Sequence, residues 1–261
     1  MTRWRRLPGL DWGGVLIQVL TAPVAILADA LSFLVSALLL GSIRSDEAAP
    51  HRAKRGSMRR EIAEGVRLVL GNPLLRALAA SSATFNLFDS VLFSVYILYM
   101  VRALGLSAGA IGLVFGLGGV GSLLGALLVG PITRRLGLGR TLTAAVILAA
   151  LAELLIAAAG GPALVAGSIL TGAEAIVEFG AVIFAINAVT LRQTRTPEQL
   201  RGRVNATSRF ATWGVGPVGA LLGGALGQAV GLRQTVLLAG LATLLAFPWL
   251  ARLHWGEMGE L

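Results

Sequence analysis

Long apolar runs alternate with short, arginine-bearing connections along almost the whole chain. Crossing a hydrocarbon core of about 30 Å as a helix takes roughly 20 apolar residues. Seven such runs occur, at about 22–43, 76–101, 108–130, 141–160, 162–189, 209–229 and 233–252. Hydrophobic residues make up 56% of the sequence and charged ones only 13%, against about 25% charged in a typical soluble domain. In lipid each backbone polar group must be satisfied without water, so a spanning chain forms helices or a closed barrel. The period-two alternation of a barrel strand is missing from these runs. The expected fold is therefore all-α, a polytopic membrane bundle of about seven transmembrane helices with the lipid bilayer as its solvent.

The formal net charge is +9. Nucleic acid is excluded as the reason, because the basic residues sit in short connections between apolar runs, where the positive-inside rule puts them. Residues 44–76 carry Arg44, Arg52, Lys54, Arg55, Arg59, Arg60, Arg67 and Arg76. The 131–140 connection carries Arg134, Arg135 and Arg140, and 190–209 carries Arg192, Arg195, Arg201, Arg203 and Arg209. The alternate connections carry only Arg102 and Arg233. This asymmetry predicts the arginine-rich set and the carboxyl terminus in the cytoplasm of a cell whose inner membrane the chain spans. Arg3, Arg5 and Arg6 do not fit that pattern. With no cysteine, and with His51 and His254 both outside the runs, no metal centre or cofactor site is expected.

The pattern divides the chain into a stub at 1–21, a span at 22–43, a linker at 44–75, a six-helix lobe at 76–253 and a tail at 254–261. The stub's apolar piece, GGVLIQVL at 13–20, reaches about 12 Å as a helix, less than half a bilayer. In the linker, Met58, Ile62, Val66, Val69 and Leu70 share one helical face, with Arg59, Arg60, Glu61, Glu64 and Arg67 away from it. Such a helix, ended at Asn72-Pro73, lies on the membrane surface or against the ends of the spans. GLGGVG at 116–121 has the letters of a dinucleotide-binding loop, but it lies mid-span with no strand before it. Its glycines, with Gly112 and Gly125, instead predict close helix packing. The sequon NAT at 205–207 falls in an expected cytoplasmic connection and is set aside. No catalytic constellation occurs in the spans, so an enzyme is not expected.

Polar side chains within the runs are the candidates for chemistry: Asp29, Asn86, Asp89, Glu153, Glu174, Glu178 and Asn187. A charge at mid-bilayer costs on the order of 3 kcal/mol, so such a carboxyl must meet a proton, a cation or water. Glu174 and Glu178 are four apart and share a helix face. Two readings are open. The acids are held by neighbouring helices and inert, or Asp89, Glu174 and Glu178, with Asn86 and Asn187, line a wet path for protons or a substrate. Glu153 has no evident partner in the sequence, which favours the inert reading there.

Five stretches carry a family resemblance: LADALSFLVSALLL (27–40), GNPLLRAL (71–78), GPITRRLGLGR (130–140), TPEQLRGRV (196–204) and WGVGPVGALLGG (213–224). Their order and spacing resemble the carboxyl-terminal part of a major facilitator superfamily transporter, in the group of enterobactin-exporter-like and macrolide-efflux-like proteins. The resemblance implies two six-helix halves that rock about a substrate site between them. The seven runs would be the sixth to twelfth spans and the 13–20 stub the end of the fifth, with the amino-terminal spans missing. Asn86, Asp89, Glu174, Glu178 and Asn187 would lie near the path, and Glu153 on an outer helix. The 130–140 stretch would be a cytoplasmic gate loop. Gly130 and Gly137 would allow its tight turn, and Arg135 and Arg140 would bind helix ends or acids. Arg134 stands where the family has an acid. The implied function is proton-coupled export of a small amphipathic molecule. The alternative is a half-transporter that does not transport and acts as a membrane interaction module. Implied partners are the substrate, protons, and the missing amino-terminal lobe or a second copy.

Overall fold

A computed structural model describes residues 22–42 and 57–253. The stub at 13–20, the amino-terminal arginines, the linker up to residue 56 and the 254–261 tail lie outside the described residues. The chain divides into two units, Met1–Gly56 and Ser57–Leu261.

The first unit contributes one helix, α1 (Ala22–Ser42). Its bulky apolar side chains, Leu31, Phe33, Leu34 and Leu38 among them, are exposed around the helix. Ser36 and Ser42 give their hydroxyls to Ser32 and Leu39 carbonyls, which removes two polar groups from its surface.

The second unit is all helix among the described residues, in the order α2 (Met58–Gly71), α3 (Pro73–Arg102), α4 (Ala108–Gly118), α5 (Val120–Leu136), α6 (Leu138–Ala158), α7 (Ala163–Thr194), α8 (Arg201–Trp213), α9 (Gly216–Ala229), α10 (Leu232–Thr243) and α11 (Phe247–Ala251). Short 3-10 turns precede α8 and join α10 to α11. Six segments are long and apolar enough to cross a membrane: Pro73–Arg102, Ala108–Leu136, Leu138–Ala158, Ala163–Thr194, Glu198–Ala229 and Leu232–Ala251. With α1, they correspond to the seven runs of the sequence, but the helices outlast the apolar stretches at 136, at 194 and at 198. A helix needs only backbone bonds to continue, so polar residues extend it beyond the lipid-facing part.

Three spans are broken, each at glycine or proline. The second bends at Gly118-Gly119 between α4 and α5. The fifth bends at Gly214, before Pro217 in the first turn of α9. The sixth bends at the 3-10 turn before Pro248. Such breaks are tolerated in membranes where neighbouring helices cover the freed backbone groups.

The 130–140 stretch departs from expectation. Gly130 lies inside α5 and turns nothing, and the helix runs through Pro131 to Leu136. The turn is made by Gly137 alone, at φ +79°, a conformation only glycine adopts without strain. Arg134 and Arg135 fill the last turn of α5, where cations favour the carbonyl end of a helix.

α3 packs along α9 and α10, and α7 packs along α4, α5 and α6, while α6 also meets α10. Two apolar clusters hold these contacts. One gathers Leu92, Tyr96 and Met100 of α3 with Ile156, Leu170 and Val236. The other gathers Leu74 and Leu78 with Leu142, Leu191 and Leu250. At the end of α6, Tyr99 donates to the Ala159 carbonyl at 3.1 Å and Arg233 to the Ala157 carbonyl at 2.9 Å. These bonds satisfy carbonyls the helix cannot bond itself.

Candidate functional site

A cavity of about 410 Å³ opens between α3, α6, α7 and the end of α8. α3 contributes Ser82, Phe85, Asn86 and Asp89, one face at spacings of three and four. α7 contributes Glu178, Ala181, Ala185 and, at its far end, Arg192. Glu178, Ala185 and Arg192 recur every seven residues, which keeps them on one face over four turns. α6 shows only the small side of Ala145, Val146 and Ala149, which leaves the space open. Arg209 and Trp213 of α8 close one end.

The structure brings Asp89 and Glu178 to opposite walls of this cavity, close enough to interact electrostatically. Asn86 stands beside them, its amide donating to the Ser82 carbonyl at 3.0 Å. No lysine or arginine pairs with either acid among the described residues. The cavity is therefore acidic and amide-bearing in the middle, basic and aromatic at the α8 end, and apolar elsewhere.

Glu174 is not among the cavity lining. One turn from Glu178, it accepts a hydrogen bond from the buried Tyr96 hydroxyl at 3.3 Å. Tyr96 stacks edge-on against Phe115, with ring centroids 5.7 Å apart. The stem of Glu174 lies against Gly118, where an added Cβ would come within 2.6 Å of Cγ. Thus the glutamate pair is divided, one acid at the cavity and one held between α3, α4 and α7.

Asn187 is buried away from the cavity lining. It donates to the Ile183 carbonyl at 2.9 Å and accepts from the Thr133 hydroxyl at 3.1 Å, tying α7 to α5. Arg134, Arg135 and Arg140, expected in a gate loop, are exposed at the α5–α6 turn, apart from the cavity.

Glu153 was expected on an outer helix, yet it is 1% exposed and turned inward on α6. It lies one turn beyond the cavity-lining Ala149, with Thr243 of α10 beside it and Asp89 and Glu174 within electrostatic reach. The Thr243 hydroxyl is already given to the Ala239 carbonyl. Neither Glu153 oxygen has a regular hydrogen bond among the described residues. Sequence reasoning missed this inward turn, because only the structure shows that Ala149, four residues earlier, faces the cavity. It also counted Arg192 and Arg209 only as connection charges. The seven-residue repeat from Glu178 was the signal that Arg192 shares the cavity face. No group of acids or histidines able to hold a metal ion is found among the described residues.

This arrangement is a bundle of helices long and apolar enough to cross a membrane, with a polar cavity among them. The Major Facilitator Superfamily model matches residues 12–217 and 80–257, and the chain belongs to that family. The chain is 31% identical over 244 residues to the multidrug efflux pump Tap of Mycolicibacterium fortuitum, covering 91% of this chain and 57% of that protein. It is 31% identical over 231 residues to the pump of the same name in Mycobacterium tuberculosis, covering 86% and 53%. An uncharacterized MFS-type transporter, y4rN, of Sinorhizobium fredii is 30% identical over 197 residues, covering 74% and 47%. The chain spans about half the length of the curated relatives it matches.

Proposed function

We propose that the chain forms the carboxyl-terminal lobe of a proton-coupled exporter of small amphipathic molecules, working by alternating access in the inner cell membrane with its carboxyl terminus in the cytoplasm. The observation that carries this reading is that Asp89 and Glu178 line one cavity with neither in an ion pair among the described residues. Two acids in an apolar surround bind a proton or a cationic group, and occupancy by one opposes the other. That competition is the basis of antiport. Apolar walls at Phe85 and Phe184 and the indole of Trp213 suit the hydrophobic part of an amphipathic substrate. The efflux-pump names of the relatives support the direction of transport.

Alternating access needs two lobes. The working unit is therefore this lobe with an amino-terminal lobe or with a second copy. Glu174 enters this proposal as a secondary proton site behind Glu178, joined to Tyr96. Asn187 enters as a helix tie that holds the cavity wall. The α5–α6 turn with Gly137, Arg134, Arg135 and Arg140 enters as the gate.

The test is efflux of a fluorescent cation from vesicles bearing the two-lobed assembly. Asp89→Asn and Glu178→Gln are each expected to reduce pH-gradient-driven efflux at least tenfold while leaving substrate-independent assembly intact. Glu174→Gln is expected to reduce it less. Unchanged coupling in both cavity variants would remove these acids from the mechanism. Absence of transport from the assembly itself would favour the non-transporting interaction module.

A further inference from the structure

A second hollow, of about 520 Å³, lies between the end of α7, the 196–201 turn and α8. Its wall is basic. Arg192 comes from α7, and Arg201 and Arg209 from α8, with the amides of Gln193 and Asn205 among them. No acidic side chain lines it. Arg192 and Arg209 make no hydrogen bond or ion pair among the described residues. Arg201 commits only its Nε, to the Thr196 carbonyl at 3.3 Å, which leaves its terminal nitrogens unengaged.

A second observation is independent of charge. Thr196 lines the same hollow, is 5% exposed, and its hydroxyl has no hydrogen-bond partner among the described residues. A buried hydroxyl is ordinarily satisfied, so the Thr196 hydroxyl, buried in the wall of this hollow, is left in need of an acceptor. Guanidinium groups converging on one space without a counter-charge match the oxygens of phosphate, which accept paired N–H bonds. We propose that this hollow binds a phosphate-type anion through Arg192, Arg201, Arg209 and the Thr196 hydroxyl. The anion is either a free phosphate-bearing solute or the headgroup of an anionic lipid. The site does not depend on the transport reading, because its residues are assembled whether or not Asp89 and Glu178 carry protons. It borders the central cavity through Arg192, Arg209 and Trp213, so its occupant sits beside the acidic chamber.

The experiment uses the purified chain in neutral detergent and in phosphatidylcholine nanodiscs with and without phosphatidic acid. Calorimetry follows inorganic phosphate, and native mass spectrometry follows retained lipid. The expected result is saturable binding of one anion, weakened at least tenfold in the Arg192→Gln/Arg209→Gln double variant and severalfold in Thr196→Val. Binding of inorganic phosphate identifies a solute site, and retention of phosphatidic acid alone identifies a lipid headgroup. Either outcome upholds the pocket. Binding of neither, or binding unchanged in both the arginine and the threonine variants, overturns it. Thr196→Val keeps the test decisive if the double variant does not fold.

Discussion

Gly121 shows how one residue type governs this bundle. A Cβ added there would fall onto the Ala175 backbone carbonyl of α7, and at Gly125 it would come within 2.8 Å of the Phe179 carbonyl. Gly219 and Gly223 do the same for α9 against Leu87 and Val91 of α3. Small residues at such contacts let helix backbones meet, which is the main source of association in lipid. Gly112 and Gly116, by contrast, meet nothing within 4 Å. Gly121→Ala is therefore expected to destabilise the folded chain by about 1–3 kcal/mol, as overpacking does. Gly116→Ala is expected to be neutral or to stabilise by up to about 1 kcal/mol through helix propensity. Unfolding in mixed micelles would measure both. The sequence made glycine packing legible, but not which glycines, because a 3.6-residue period cannot show that Gly118 and Gly119 break the helix and rotate the face. A similar ambiguity held for the polar residues. Asp89 and Glu178 read as partners in a wet path and do share a cavity, whereas Asn187, also a polar residue within an apolar run, spends its amide on Thr133 and Ile183. Composition does not tell a cavity amide from a helix tie. Thr133→Val and Asn187→Leu are expected to show a coupling of about 0.5–1.5 kcal/mol in a double-mutant cycle, the range for interhelical hydrogen bonds in membranes.

Among the elements, α2 resolves two readings into a combination. It packs on α8 and α3: Gly65 is buried against Thr207 and the Arg203 backbone, and Val69 is buried with Leu75, Ala79 and Val204. Arg203 bridges Glu61 at 3.4 Å and pairs also with Glu64. Yet Met58, Ile62 and Leu70 of its apolar stripe stay exposed. The hydrophobic face read from sequence thus docks only through Val69, while Gly65 and an acid pair on one arginine make the other contacts. Asn72 ends this helix and starts the next, accepting from Leu74 and Leu75 amides at 2.9 and 3.2 Å with Pro73 in the first turn. That junction was legible from the Asn-Pro pair alone. Since the ion pairs are half-exposed, each contributes only about 0–1 kcal/mol. Arg203→Ala is therefore expected to leave the melting temperature of the lobe within a few degrees while raising protease cleavage near residues 56–60 several-fold. Unchanged cleavage would show that Gly65 and Val69 suffice to hold α2.

The whole molecule follows from an apolar chain that must bury every backbone polar group within its own helices. Apolar runs gave the spans, and the arginine asymmetry gives an expected side for each connection. Cavity, broken helices and the inward turn of Glu153 required three dimensions, because each depends on which helix stands opposite. The arrangement predicts that single cysteines at Ser57 and Gln193 react from the same side of the membrane, and one at Arg233 from the other. The native chain has no cysteine, so each label reports one position. The central claim is that water reaches the Asp89–Glu178 chamber from within the bundle. Reaction of a small water-soluble maleimide with cysteines at Ala181 and Ala185, compared with Leu127 and Leu155 on the outer surface, tests it most directly. The account predicts rapid modification at 181 and 185 and none at 127 and 155 in the membrane; silence at 181 and 185, or equal reaction at all four, would contradict it.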